Sequence, residues 1–428
     1  MNTHRPTYFH RIIDDELDEL LEGLPAVALE GPKAVGKTAT ALRRARTVYG
    51  LDDPTQVDLA AADPRRLVSG ATPVLIDEWQ RFPESWDLVR RAVDEDPSPN
   101  RFLLTGSVTP TAPPTHSGAG RIVRLRMRPL SLAERGLDTP SVSLGRLLRA
   151  PGSPVAGDTA VTLGGYAEEI LRSGFPGLRP LDGRALRAQL RGYVARIVDR
   201  DFDESGHRIR KPVALSRWMR AYAAATATTA TLETIRDAAT SGEKEKPSRP
   251  TVLGYRDVLE RLWILDPVPA WLPSRNYFSR LTHPDKHHLA DPALAATLLG
   301  VGVDALLRGV EATIPTPGGG PLLGRLFESL VTQSVRVYAQ AAEAEVRHLR
   351  TKGGRHEVDL IVERPDHRVL AIEIKLSKRV TDGDVLQLAW LREAVREDLL
   401  DAIVITTGES AYRRADGIAV VPAALLGP

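Results

Sequence analysis

Glycine, lysine and threonine near the N-terminus have the spacing of a phosphate-binding loop. Residues 31–38 are GPKAVGKT, which fits the pattern G-x-x-x-x-G-K-[ST]. The apolar residues 26–29 before the loop predict a buried strand, and the alanine-rich stretch after it predicts a helix. Because glycine permits a tight turn, backbone amides and the helix N-terminus can converge on phosphate oxygens. The pattern predicts a nucleoside triphosphate site.

Carboxylates further along the chain are expected to complete this site. Lys37 should reach the β and γ phosphates, and the Thr38 hydroxyl should bind Mg²⁺. Residues 74–78 are an apolar strand that ends in Asp77, predicted to hold Mg²⁺, and Glu78, predicted to polarise the attacking water as general base. We therefore predict that Mg²⁺ is held by Thr38 and Asp77 and that one continuous segment binds ATP or ADP: Gly31, Pro32, Lys33, Ala34, Val35, Gly36, Lys37 and Thr38.

Two further segments supply catalytic candidates. Residues 102–107 predict a strand that ends in small polar residues. Ser107 is the first candidate for sensing the γ-phosphate, and Thr105 is the second. A plain strand-to-loop exit is the alternative. Arg121, on a glycine-rich loop, is the candidate for an arginine finger that reaches a neighbouring subunit's γ-phosphate. The strand after it alternates, which predicts a solvated basic face of Arg124, Arg126 and Arg128.

A second group of charged residues lies near the C-terminus. Residues 357–362 and 369–375 alternate charged and apolar positions, and a hairpin between them would place Asp359 beside Glu373 and Lys375. Two carboxylates that hold Mg²⁺ and a lysine that orients water are what phosphodiester hydrolysis requires. Glu328, on a preceding amphipathic helix, is expected to complete the metal shell. The alternative is a domain that binds without cleaving.

Composition limits what the chain can be. It has 428 residues, 42% hydrophobic and 26% charged, with a formal net charge of +2 and no cysteine. Disulfides and thiolate chemistry are excluded, and any affinity for nucleic acid must come from a local basic patch. We expect a soluble cytoplasmic protein without a signal segment or membrane span.

Breaks rich in proline and glycine divide the chain. They predict domains at 1–150, 160–310 and 320–428: an α/β domain with strands that include 57–59, a helical middle region, and a second α/β domain. The helix at 251–262, with Lys244, Lys246 and Arg249 upstream, either contacts DNA or packs in the core. His283, His287 and His288 resemble a metal cluster, but zinc is disfavoured because the chain has no cysteine and only Asp285 and Asp291 nearby.

The motifs together resemble a family of prokaryotic AAA+ ATPases. The resemblance covers nearly the whole chain and rests on the phosphate loop, on 75–80 (LIDEWQ), on 104–107 (LTGS), on 128–131 (RPLS) and on 174–176 (GFP). It implies an N-terminal P-loop AAA+ domain, a helical winged-helix-like middle region and a C-terminal α/β domain of unknown function with a PD-(D/E)XK nuclease-like core. It also implies assembly of several subunits.

Two functions follow as expectations. The first is an Mg²⁺-dependent ATPase that is associated with DNA and acts as a homo-oligomer such as a ring. Its nuclease-like domain would either bind DNA only or bind and cleave it. The second is a nucleotide-controlled interaction switch or scaffold with a catalytically silent C-terminal domain. A phosphotransferase is disfavoured because Glu78 suits a water nucleophile.

Overall fold

The computed structural model describes residues 8–108, 118–202, 211–240, 246–273, 283–311 and 322–428, with the side chains of 309–311 left undescribed. An N-terminal sheet, a helical middle region and a C-terminal sheet follow one another along the chain. One apolar core extends through all three, because Leu29, Trp218 and Ile403 belong to the same buried cluster. Burial of this shared core holds the three regions together.

The N-terminal region is a parallel sheet with helices between its strands. Its strands, in the order β2-β3-β4-β1-β5, are β1 Ala26–Glu30, β2 Thr47–Gly50, β3 Val74–Asp77, β4 Phe102–Gly106 and β5 Val123–Arg126. Its helices are α1 Ile13–Gly23, α2 Lys37–Leu42, α3 Pro54–Ala62, α4 Glu84–Glu95 and α5 Leu132–Arg135. β1, β3 and β4 are parallel neighbours, so the segments that follow them meet at one edge of the sheet.

Two local expectations for this region are wrong. Residues 57–59 lie in helix α3, because Asp53 accepts a hydrogen bond from the Thr55 amide and Pro54 occupies the first helical turn. Arg124, Arg126 and Arg128 do not form one solvated face. Arg126 and Arg128 each lie 3.0 Å from the buried carboxylate of Asp266 in the middle region.

The middle region is mostly helical, as expected. Residues 142–158, where a break is predicted, contain β6 Val142–Ser143, α6 Leu144–Arg149 and β7 Gly157–Asp158, and both strands pair with strands of the C-terminal region. The helices that follow are α7 Leu163–Arg172, α8 Gly183–Arg196, α9 Pro212–Ala224, α10 Leu232–Ala239, α11 Arg249–Arg261, α12 Pro292–Leu299 and α13 Val303–Glu311. A π-helical turn, Ile197–Asp201, directly continues α8.

The C-terminal region is a mixed sheet beside a long buried helix. Its elements are α14 Leu322–Ala341, β9 Glu345–Arg350, β10 Glu357–Glu363, β11 Val369–Ile374, α15 Leu386–Val395, β12 Leu399–Thr406, β13 Ser410–Arg413, β14 Ala419–Pro422 and β15 Leu426–Gly427. The sheet order is β7-β13-β14-β12-β11-β10-β9-β8, where β8 Ala270–Trp271 comes from the middle region. Through the described segments, no helix is long and apolar enough to cross a membrane.

Candidate functional site

The phosphate loop connects β1 to the first turn of α2. A side chain at Gly31 would place its Cβ 2.2 Å from the Met127 carbonyl oxygen, so only glycine fits there. Gly36 has φ 107°, a conformation that residues with a Cβ rarely adopt, and it immediately precedes the helix. The sequence therefore forms a backbone cradle at a helix N-terminus, which is a favourable environment for an anion.

Lys37 is buried at the base of this loop. Its ammonium donates hydrogen bonds to the carbonyl oxygens of Gly31 at 2.8 Å and Pro32 at 2.9 Å, and the residue is only 5% exposed. Burial lowers the pKa of Lys37 to about 8, although the charges of Glu78 and Asp77 oppose the shift. Carbonyl dipoles are the direct hydrogen-bond partners of the Lys37 ammonium, so an incoming phosphate would stabilise its charged form.

Thr38 and Asp77 meet at the carboxyl edge of the sheet. The Thr38 hydroxyl donates to Asp77 Oδ1 at 2.8 Å, and the Thr105 hydroxyl donates to the same oxygen. A hydroxyl and a carboxylate are ligands that suit Mg²⁺, which usually keeps several of its waters. Over the ranges that the structure describes, no group of three or more His, Asp or Glu side chains is arranged to hold a metal ion.

Glu78 is held beside this pair by two side chains. Ser107 Oγ donates to Glu78 Oε2 at 3.1 Å, and the Gln80 amide nitrogen donates to the same oxygen. The backbone of Glu78 is left-handed, with φ 55° and ψ 44°, and its amide donates to Thr105 Oγ1 at 3.3 Å. The structure thus brings Glu78 and Ser107 together and adds Gln80, which the sequence showed only as part of the segment LIDEWQ.

Arg121 lies away from its own chain's phosphate loop. β5 runs parallel to β1 with Val27 opposite Val123, so Arg121 precedes the sheet's amino edge, whereas the loop follows the carboxyl edge. Its guanidinium is 46% exposed and lies 2.8 Å from Asp94. An arginine-finger role for Arg121 therefore requires a second subunit.

The middle region contacts the other side of the phosphate loop. Lys33 Nζ donates to Asp201 Oδ1 at 2.6 Å, and the Tyr193 hydroxyl donates to the Lys33 carbonyl oxygen at 3.1 Å. Asp201 lies in the π-helical turn after α8, and such turns often occur at functional sites. Sequence reasoning missed these partners because 160 or more positions separate them from Lys33.

The four predicted C-terminal residues also come together. β10 and β11 are antiparallel with Leu360 opposite Ile372, which places Asp359 beside Glu373. Lys375 Nζ donates to Glu373 Oε1 at 2.8 Å, and the Ile374 amide donates to Asp359 Oδ2 at 2.9 Å. Burial, followed by the Asp359 charge, raises the pKa of Glu373 to about 8.

A lysine that the sequence did not single out lies between these carboxylates. Lys286 is 1% exposed, and its ammonium is 2.8 Å from Glu328 Oε1 and 3.2 Å from Asp359 Oδ1. Burial by itself lowers the pKa of Lys286, but the charges of Glu328 and Asp359 outweigh it and raise the pKa above its ordinary value. Glu328 and Asp359, predicted as metal ligands with Glu373, are therefore bridged by an ammonium in this structure.

The remaining candidates have structural partners. His287 bonds to the Ala230 carbonyl, and His288 to Ser329 Oγ, so neither points to zinc. Helix α11 buries Val252, Val258 and Leu259, as the core interpretation expects, whereas Leu253 of the same helix is exposed. Lys246 lies 3.0 Å from Asp237, and Lys244 lies outside the described residues.

Comparison with family models identifies three segments. Residues 24–135 match an AAA domain, 164–305 match a domain of unknown function (DUF8612), and 323–426 match a second domain of unknown function (DUF4143). The first match covers the phosphate loop, Asp77, Glu78 and Ser107. Residues 24–135 are therefore similar to P-loop ATPase domains of the AAA type.

Individual proteins resemble the whole chain more distantly. Uncharacterized proteins of Mycobacterium bovis and Mycobacterium tuberculosis are each 25% identical over 415 residues, which is 95% of this chain and 82% of theirs. A Walker-type ATPase of Pyrococcus abyssi aligns with TM-score 0.39 and 18% identity over 69% of this chain and 97% of its own. The replication initiator DnaA, bound to AMPPCP and single-stranded DNA, aligns with TM-score 0.22 and 14% identity over 58% of this chain and 86% of its own.

Proposed function

We propose that the chain hydrolyses ATP with Mg²⁺ and that this hydrolysis drives or controls an interaction with DNA. The supporting observation is the approach of Thr38 and Asp77, 39 positions apart in sequence, to 2.8 Å at the carboxyl edge of the sheet and beside the phosphate loop. Bound there, Mg²⁺ would neutralise phosphate charge. The loop amides and Lys37 would bind and orient the phosphates.

Glu78 is the residue that we assign to water activation. Its carboxylate lies at the end of β3 and is oriented by Ser107 and Gln80 through Oε2, which leaves Oε1 to accept a proton from water. Ser107 is thereby assigned to positioning this base as well as to the γ-phosphate.

Steady-state ATP turnover and ATP binding test these assignments. Lys37→Ala should remove both binding and turnover. Glu78→Gln should keep binding and reduce turnover by about 100-fold or more, because only the general base is lost. Glu95→Gln, an exposed glutamate at the end of α4, is the matched control and should keep wild-type turnover. Wild-type-like turnover in Glu78→Gln would refute the assignment.

The C-terminal region is proposed to be nuclease-like and to contact DNA. The order of α14, β9, β10, β11, α15 and β12 supports this proposal, as does the convergence of Asp359, Glu373 and Lys375. In the middle region, α9, α10 and α11 are followed by antiparallel bridges between Leu265 and Leu289 and between Val268 and Lys286, an order compatible with a winged helix.

Lys286 favours the second candidate function, in which the C-terminal domain does not cleave. The Lys286 ammonium already pairs with Glu328 and Asp359, two of the carboxylates that a metal would need. ATP would then control binding or assembly, with Arg121 available to a neighbouring subunit.

Manganese titration and a DNA cleavage assay separate the two candidates for this domain. If the Lys286 ammonium fills the site, wild-type protein and Asp359→Asn should bind the same number of Mn²⁺ ions. Wild-type protein should then cleave no DNA. Mg²⁺-dependent cleavage that is lost in Lys375→Ala would instead support the nuclease. ATPase activity, measured on the same proteins, should be independent of Lys375.

A further inference from the structure

Helix α8 concentrates positive charge in a chain that is nearly neutral overall. Its fourteen residues, Gly183–Arg196, include no acidic side chain. They include four arginines, whereas the formal net charge of the whole chain is only +2. A local basic patch of this kind is what a nearly neutral protein needs to attract a polyanion.

Three of these arginines lie on one exposed face of the helix. Arg184, Arg187 and Arg191 are spaced i, i+3 and i+7, which places them on the same side, and each is exposed. Leu186 and Leu190, on the opposite side, are buried in the shared core. At 1.5 Å per residue, the arginine face extends over about 10 Å.

The guanidinium groups of these three arginines have no polar partner among the described residues. Within the described segments, Arg184, Arg187 and Arg191 have no salt bridge or side-chain hydrogen bond, whereas Arg179 lies 2.8 Å from Glu169. Three like charges along one helix face repel one another, so the arrangement costs stability unless an anion relieves it. The stripe is thus suited to an external anionic partner.

We propose that Arg184, Arg187 and Arg191 bind the phosphate backbone of DNA. A row of arginines with no intervening carboxylate is complementary to regularly spaced phosphates, which guanidinium groups bind in bidentate fashion. No base-reading contact is required, so the binding is expected to be independent of sequence. The proposal deepens the proposed function by assigning the surface that DNA contacts.

The position of this helix links the surface to the nucleotide site. Tyr193, two residues after Arg191, donates to the Lys33 carbonyl in the phosphate loop, and Asp201 in the following π-helical turn pairs with the Lys33 ammonium. A shift of α8 on binding DNA would move both contacts. DNA is therefore expected to change the rate of ATP turnover through this helix.

The test compares two variants with the same change of charge. In the first, Arg184, Arg187 and Arg191 are all replaced by glutamine. In the second, the exposed residues Arg146, Arg149 and Arg308 are replaced by glutamine. Affinity for a fluorescent duplex and for a single strand is measured by anisotropy from low to moderate salt, together with ATP turnover with and without DNA.

The α8 variant should bind at least about tenfold more weakly at 0.1 M salt, and the slope of log affinity against log salt should fall by about 2 to 3. Its basal ATP turnover should be unchanged and its response to DNA lost, while the control variant behaves as wild type. Equal losses in both variants, or full binding by the α8 variant, would overturn the proposal. So would binding through this face to anionic vesicles and not to DNA. Absent basal turnover in wild type would instead contradict the ATPase assignment alone.

Discussion

Two buried lysines in different regions of the molecule show how the same type of side chain prepares different sites. Lys37 is 5% exposed and donates to two carbonyl oxygens, and burial lowers its pKa to about 8. Lys286 is 1% exposed and lies between Glu328 and Asp359, whose charges raise its pKa against the effect of burial. The first lysine still lacks a full counter-charge, which a phosphate can supply. The second already has one.

The largest expected effect is on stability and comes from breaking the Lys286 cluster. Lys286→Met should lower the free energy of unfolding by about 3–5 kcal/mol, because it leaves buried carboxylates without a counter-ion. Urea denaturation measures the change. The second substitution Glu328→Gln should recover part of the loss, while Lys352→Met, at an exposed lysine, should change stability little. A neutral result for Lys286→Met would show that the ammonium does not compensate the cluster.

A somewhat smaller effect should appear in the pH dependence of stability without nucleotide. Because the folded pKa of Lys37, about 8, is below its ordinary value of 10.5, the unfolded chain binds more protons between these pH values. The contribution of Lys37 to the free energy of unfolding therefore increases as pH rises from 8 to 10.5, by roughly 3 kcal/mol in total. The stability difference between Lys37→Met and wild type should shrink across this window, whereas the difference for Lys286→Met should stay flat. If the stability difference between Lys37→Met and wild type did not change with pH, the proposed contrast between Lys37 and Lys286 would be refuted.

The smallest expected effect concerns the contact between the phosphate loop and the middle region. Asp201→Asn should remove one carboxylate beside the Lys33 ammonium, strengthen the attraction of this ammonium for phosphate and tighten ATP binding about two- to fivefold, because a partly exposed ion pair contributes less than about 1 kcal/mol. Titration with a fluorescent ATP analogue measures this change. Asp199→Asn, at an exposed neighbouring aspartate, is the control. Weaker binding by Asp201→Asn would mean that the contact holds the loop open.

Local patterns were sufficient where the chemistry is contiguous in sequence. The phosphate loop, β3 with Asp77 and Glu78, and the pairing of Asp359 with Glu373 follow from motif spacing and from the two-residue period of strands. The strand expected at 57–59 failed because Asp53 and Pro54 start a helix there. The solvated face expected for Arg126 and Arg128 failed because Asp266, far away in sequence, pairs with both.

The sequence alone therefore determined a phosphate-binding cradle, because glycine, lysine and threonine act there within eight consecutive positions. Only the tertiary structure decided which charges these groups meet. It placed Asp201 against the loop, Lys286 among the C-terminal carboxylates, and Arg184, Arg187 and Arg191 of α8 on an exposed outer face. The physical reason is that burial and charge pairing depend on distances in space. Folding brings together residues that are far apart in sequence, and no local pattern shows which of them will meet.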